Sequence, residues 1–252
     1  MNASGLPMTA RPPTRNKTQN PMIYVLSDIH GNERRFNSIL KQIDLQQSDT
    51  LYILGDVIDR HPGGIRILRR IMAMPNAKML LGNHEYMMLR ALGCPYDEYR
   101  DDGGARDHWY RNGGGVTHWH LKWLRKSVRA EIADYLRSLP LHFDITVNDR
   151  AYKLVHGAPI EACDRDPKYR NPTHFAVWKR LESSETVPGK YTLIFGHTPT
   201  RYYQDCVPME IWQESQKIGI DCGSGYPDGN PMGRLACLRL DDGAVFYSEE
   251  PG

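Results

Sequence analysis

The sequence predicts an α/β fold, sheets flanked by helices, and two observations carry that prediction. Short apolar runs alternate with segments whose apolar residues recur at helical spacing. Five of those runs end in polar residues beside glycine: Asp28 with His30, Asp56, Asn83 with His84, His156, and His197. In such sheets ligands bind where the carboxyl ends of strands converge, and glycine lets the backbone turn sharply there.

The elements follow in order. Residues 1–20 are polar, Pro-containing and without an acid, which predicts a disordered tail ahead of a single domain over 21–250. Met22–Leu26 reads as a buried strand. Asn32 then caps a helix bearing Phe36, Ile39, Leu40 and Ile43. Thr50–Leu54 is the second strand. Pro62-Gly63-Gly64 turns into a helix with Ile65, Leu68, Ile71 and Met72 on one face. Lys78–Leu81 is a third strand, followed by a helix carrying Met87, Met88, Leu89 and Leu92. Residues 93–115, with six glycines among acids and aromatic residues, predict a long excursion near the site. Residues 116–139 return to helical spacing until Pro140 stops them. Leu141–Val147 and Ala151–Val155 form a hairpin, and Phe175–Leu181 a short helix. Tyr191–Phe195 is a strand, and Ile218–Ile220 leads to Asp221. A last hairpin joins Leu235–Leu240 to Ala244–Tyr247 around Asp242-Gly243.

Composition excludes several classes. Lys plus Arg number 32 against 30 acidic residues. Arg11, Arg15 and Lys17 fall in the first 20 positions, so the body is close to neutral and makes no general commitment to nucleic acid or anionic membrane. The five cysteines are widely spaced, with no CxxC pair, which fits a reducing compartment and a cytoplasmic location. There is no apolar region of signal-peptide type and no run long enough to span a bilayer. Oligomeric state is left open.

The polar strand ends carry the chemistry. Two carboxylates, one carboxamide and three histidines form an oxygen–nitrogen set without thiolate, suited to catalytic Mn²⁺, Fe or Zn²⁺. Asp28, His30, Asp56, Asn83, His156 and His197 are too many ligands for one ion that keeps an open position. They fit two divalent ions about 3.5–4 Å apart, bridged by one carboxylate. Arg60, in Asp56-Val57-Ile58-Asp59-Arg60, offers a planar fork matched to phosphate oxygens.

These stretches resemble the motifs of the calcineurin-type metallophosphoesterases. They are closest to the phosphoprotein phosphatases, in particular compact bacterial and phage members. Asp28-Ile29-His30-Gly31 is similar to the family's DxHG, Gly55–Arg60 to GDxxDR, and Gly82-Asn83-His84-Glu85 to GNHE. Val155-His156-Gly157 and Gly196-His197-Thr198-Pro199 complete the series, over roughly residues 22–247.

The resemblance implies a four-layer αββα sandwich of two mixed sheets. It also implies that Asp28 and His30 bind the first metal, Asp56 bridges, and Asn83, His156 and His197 complete the second. His84 would be the general acid, Asp59 its orienting partner, and Arg60, Arg180 and Asn83 the phosphate-binding residues. The implied activity is hydrolysis of phosphoserine or phosphothreonine in proteins, or of phosphotyrosine, by metal-held hydroxide. The alternatives are a symmetrical dinucleoside tetraphosphate hydrolase and a non-catalytic metal-binding regulator. His61 stands where the family usually has glycine, which predicts a reshaped pocket wall or an added cation near substrate. Trp109 and Cys222 read as packing residues.

Overall fold

The computed structural model describes residues 20–98, 104–169, 171–187 and 189–249. The predicted tail, up to residue 19, lies outside the described residues.

Alternation along the strands decides the layering. In β1 (Ile23–Leu26), Tyr24 and Leu26 face one way and Val25 the other. In β2 (Thr50–Ile53), Leu51 and Ile53 oppose Tyr52 in the same manner. β3 (Ala77–Met79) pairs parallel to β2, as β2 does to β1. β9 (Ala236–Arg239) pairs antiparallel to β1, and β10 (Val245–Tyr247) closes that edge. The first sheet therefore runs β10-β9-β1-β2-β3.

The second sheet repeats the plan. β4 (His142–Val147) pairs antiparallel to β5 (Arg150–Val155), which lies parallel to β6 (Thr192–Phe195). β8 (Lys217–Gly219) continues parallel to β6, and β7 (Trp212–Glu214) closes the edge antiparallel, in the order β4-β5-β6-β8-β7.

Strands with apolar residues on both faces must be covered on both. Val25, Tyr52, Leu54, Leu80, Leu154, Ile194 and Ile218 pack between the sheets. The outer face of the first sheet is covered by α1 (Glu33–Ile43), α2 (Gly64–Met72), α3 (Asn83–Ala91), α4 (Ala105–Arg111), α5 (Gly115–Lys122) and α6 (Lys126–Ser138), through residues such as Phe36, Leu68, Met88, Trp109, Leu121 and Leu136. The second sheet is covered by α7 (Pro172–Trp178), with Phe175 against Val155, Leu193 and Phe195. The result is a four-layer αββα sandwich. Each fully buried aliphatic or Phe side chain in it contributes about 1.5–3 kcal/mol. No helix among the described residues is long and apolar enough to cross a membrane.

Local signals explain the helix starts. The Asn32 side chain accepts from Arg35 N at 3.1 Å and opens α1. Asn171 accepts from His174 N at 2.7 Å, with Pro172 in the first turn, and opens α7. Those two signals start α7 three residues earlier than the apolar pattern predicts and end it at Trp178, so Arg180 lies beyond the helix. The 116–139 segment is two helices, α5 and α6, broken around Trp123–Arg125.

The glycine-rich excursion contains α4 and the first residue of α5. Its glycines serve close approach as well as turning: a Cβ on Gly114 would lie 2.3 Å from the Trp109 indole. β7 is a short edge strand inside the 201–217 segment, where sequence periodicity gives no signal.

Candidate active site

The loops after β1, β2, β3, β5, β6 and β8 meet at one edge of the sandwich. They bring together Asp28, His30, Asp56, Arg60, Asn83, His84, Arg180 and His197 around a cavity of about 70 Å³, with Asn112, Trp178, Pro199 and Asp221 completing the wall. His156 lies just behind it, in contact with Asn83 and Asp56.

The backbone is strained to achieve this. Ten described non-glycine residues have positive φ, and six belong to the site: Asp28, His30, Asp56, Asp59, Arg60 and His197. Each costs on the order of 1–3 kcal/mol and persists only where its surroundings over-determine it.

Here the surroundings are an interlocked set of peptide hydrogen bonds. Asp28 N donates to Gly55 O, His30 N to Asp56 O, Gly31 N to Val57 O and Gly63 N to Gly31 O, at 2.7–3.1 Å. Glu85 reinforces the set. Its carboxylate accepts from Gly82, Asp56, Val57 and Ile58 N at 2.9–3.3 Å. Burial, with the nearby Asp56 charge, pushes its pKa up to about 7.

The histidines are oriented by main-chain carbonyls, which can only accept. His30 Nδ1 donates to Ile58 O at 3.3 Å, His156 Nδ1 to Leu54 O at 2.7 Å, and His197 Nε2 to Trp178 O at 3.1 Å. The remaining nitrogen of each ring is turned into the cluster as a lone pair, the arrangement expected of a metal-binding imidazole. Burial, with Arg60 for His30 and His156 for His197, holds both pKa values below the ordinary histidine value, that of His197 at about 3.

Two observations test whether a cation fits. His197 Nδ1 and His156 Nε2 lie 2.8 and 2.9 Å from Asn83 Oδ1, so three acceptors converge with their protons committed elsewhere. Asp28, Asp56 and Asp221 are all buried in the same site. Burial and mutual repulsion raise the pKa of Asp28 and push that of Asp221 well up, although His156 opposes this at Asp28. At Asp56 burial also raises the pKa, but His156, His84, His30 and His197 together win and lower it.

Divalent cations would relieve both the acceptor contacts and the repulsion. Two donor groups are close enough to hold one ion each: His30, Asp56 and His84, and Asp56, His156 and His197. Asp56 is common to both. Asp28 Oδ1 approaches the first, 3.9 Å from His30 Nε2.

His84 occupies a different setting. Its Nδ1 lies 2.7 Å from Asp59 Oδ2, and its Nε2 faces Arg60 Nη2 at 3.3 Å. Burial lowers its pKa, but the Asp56 charge and the Asp59 hydrogen bond outweigh that and raise it. Arg180 is exposed at the rim, its guanidinium 5.5 Å from the Tyr202 ring centre.

Several residues here escape sequence reasoning. Trp109, read as packing, also donates from Nε1 to Asp59 Oδ2 at 2.8 Å, so the same oxygen serves both His84 and the indole. Asp221 and Trp178 line the cavity, and Glu85 braces it. Glu85 had a usable signal, standing three residues after the glycine that precedes α3, the capping-box spacing. Asp221 had one too, standing at a strand end beside Cys222-Gly223. Cys222 packs between the sheets. His61 is absent from the cavity wall; its ring meets Tyr226 O at 3.1 Å.

Residues 21–221 match the family model described as calcineurin-like phosphoesterase. The chain belongs to this family. Its members are hydrolases built on a pair of divalent metal ions, and this calcineurin-like phosphoesterase holds His/Asp groups able to bind them.

Curated relatives include a symmetrical bis(5'-nucleosyl)-tetraphosphatase of Proteus mirabilis, 34% identical over 88% of this chain and 96% of that protein. One of the same name from Delftia acidovorans is 27% identical over 78% of this chain, and the match spans 63% of that protein's length. Among solved structures, a protein serine/threonine phosphatase from Saccharomyces cerevisiae shares the fold, with a TM-score of 0.57 at 15% identity over 94% of this chain and 82% of that one.

Proposed function

We propose that this chain is a symmetrical dinucleoside tetraphosphate hydrolase, cutting the central anhydride with water to leave two nucleoside diphosphates. The supporting observation is the similarity to curated proteins of that name, one matched across 96% of its length.

In this reading Asp28 and His30 would hold one divalent ion, Asn83, His156 and His197 would hold the second, and Asp56 would be shared between them. Mn²⁺ is the favoured metal, with Fe or Zn²⁺ as alternatives. The ions supply positive charge for phosphate oxygens and lower the pKa of water. Arg60 and Arg180 grip phosphate oxygens as charge-assisted donors. His84 gives the Nε2 proton to the leaving oxygen as the P–O bond breaks. Asp59 holds the Nδ1 proton and keeps the ring aligned.

The second reading is phosphoserine, phosphothreonine or phosphotyrosine hydrolysis in proteins, favoured by the Arg60–Arg180 pair at the rim of a small cavity. Comparing kcat/KM for diadenosine tetraphosphate and a phosphoserine peptide, with Mn²⁺ present, separates the two. The expected result is a preference of at least about tenfold for the dinucleotide, with ADP as sole product. A peptide preference of that size would overturn it. Metal bound at full occupancy with neither substrate turned over would instead favour a non-catalytic regulator.

A further inference from the structure

A second cavity, of about 150 Å³, shares Trp178 with the cavity of the ion-binding cluster. Trp178 lines both spaces, its indole meeting His197 edge-on at 5.9 Å as well as the rings of His174 and His108. Tyr86 and Met87 lie buried at the second cavity, and Arg90, His108 and His174 complete its wall.

We propose that this cavity binds the nucleobase of a nucleotide substrate. The inference rests on the dinucleotide reading above and specifies where one nucleoside arm goes. Three observations argue for it.

The first is shape and surface. A void of about 150 Å³ is one that takes a benzene-sized ring in a protein interior, and here the walls are mostly flat rings. His174 stacks on Trp178 with centroids 5.9 Å apart and planes at 27°, while His108 meets the same indole edge-on at 5.5 Å. Aromatic faces hold bases by stacking, whatever the base. Burial and the Arg90 charge lower the His174 pKa.

The second is the cation. The Arg90 guanidinium lies 5.5 Å from the Tyr86 ring centre. A guanidinium beside an aromatic slot adds cation–π attraction for a π-rich base and donors for its ring nitrogens. The aliphatic side chain of a peptide would use neither.

The third is position. Tyr86, Met87 and Arg90 belong to α3, the helix whose first residues are Asn83 and His84. They stand two to six residues past His84, about 3–9 Å along the axis at 1.5 Å per residue. Ribose and phosphate groups can bridge such a gap between a base and the cleaved bond.

Two variants test this on the full chain. Ala105, partly buried at the first position of α4, lines the mouth, so Ala105→Trp fills the cavity. His108 is exposed, so His108→Ala removes one ring without opening the core. The first readout needs no turnover: saturation-transfer NMR of adenosine against metal-free protein. The expected result is transfer to the base H2 and H8 protons in the parent protein, reduced at least about fivefold in both variants. Equal transfer in parent and variants, no transfer in the parent, or stronger transfer to a leucine-bearing peptide than to adenosine would overturn the proposal.

The second readout is specificity. The ratio of kcat/KM for diadenosine tetraphosphate to that for p-nitrophenyl phosphate should fall about tenfold in each variant, the loss expected for one stacking partner. Dinucleotide turnover with an unaltered ratio would sink the base site while leaving the substrate reading intact. Adenosine transfer lost in the variants, in a protein that does not cleave the dinucleotide, would uphold the base site and sink the substrate reading.

Discussion

The two sheets contribute to the site in unlike ways. The first sheet's loops are sewn to each other: peptide hydrogen bonds link 28–31 to 55–57 and 61–63, and the Glu85 carboxylate gathers four more amides. They carry Asp28, His30, Asp56 and Asn83, which would face the cations, and Asp59, Arg60 and His84, which would handle phosphate and proton. The second sheet's loops deliver His156 and His197, aimed by Leu54 O and Trp178 O, with His197 N donating to Asp28 Oδ2 at 3.0 Å. One half is a braced frame. The other is a pair of ligands whose loops are joined by Gly196 N donating to His156 O and which reach the frame through two hydrogen bonds, a link that bound cations would strengthen.

Breaking Asp56 should therefore do most damage, because it is shared by both donor groups. Asp56→Asn is expected to reduce metal content by mass spectrometry from two ions per chain toward none, and to lower turnover further than any other single change. Retention of both ions with near-normal turnover would remove Asp56 from the centre of the comparison.

The frame itself is tested next. His84→Asn should lower kcat by about 10²–10⁴. Asp59→Asn should lower it by about 10–100-fold, the usual range for a residue that orients another. A raised His84 pKa means the proton-bearing form survives above the ordinary value of 6.5. The alkaline limb of the kcat profile should thus lie above that value. It should move down in Asp59→Asn, which loses a hydrogen bond favouring the charged ring. An unmoved limb would assign the limb to another group.

The smallest effect sharpens the contrast directly. Chelating the metal should speed amide exchange at Gly196 and His197 and leave Gly31 and Gly63 protected, since the latter pair lies in the sewn frame. Uniform loss of protection across both sheets would show that the halves are not mechanically distinct.

How far this was readable beforehand depends on what holds each part. Strand-end polar residues such as Asp28, Asp56 and His197 stand out because a buried apolar run ends on them, and the sheet order then brings them together. The helix start at Asn32 is short-range and equally visible, whereas the apolar pattern that begins at Phe175 conceals the start at Asn171. What stays hidden is contact between remote segments. Nothing near Trp109 indicates that its indole reaches Asp59, 50 residues away. The glycines around it read as loop, because close approach and chain flexibility use the same residue. β7 is hidden for another reason: a three-residue edge strand is specified by its partner more than by its own pattern.

The props behind the three imidazoles that turn a nitrogen into the cluster are peptide oxygens of Leu54, Ile58 and Trp178. A mutation replaces a side chain and leaves the peptide oxygen behind. The orientation of these rings is thereby sheltered from substitution at the supporting positions. At Trp178 this matters twice, since its carbonyl serves His197 while its indole forms the wall to the neighbouring cavity. A change at Arg90 or His108, which line only that cavity, leaves the carbonyl prop on His197 untouched.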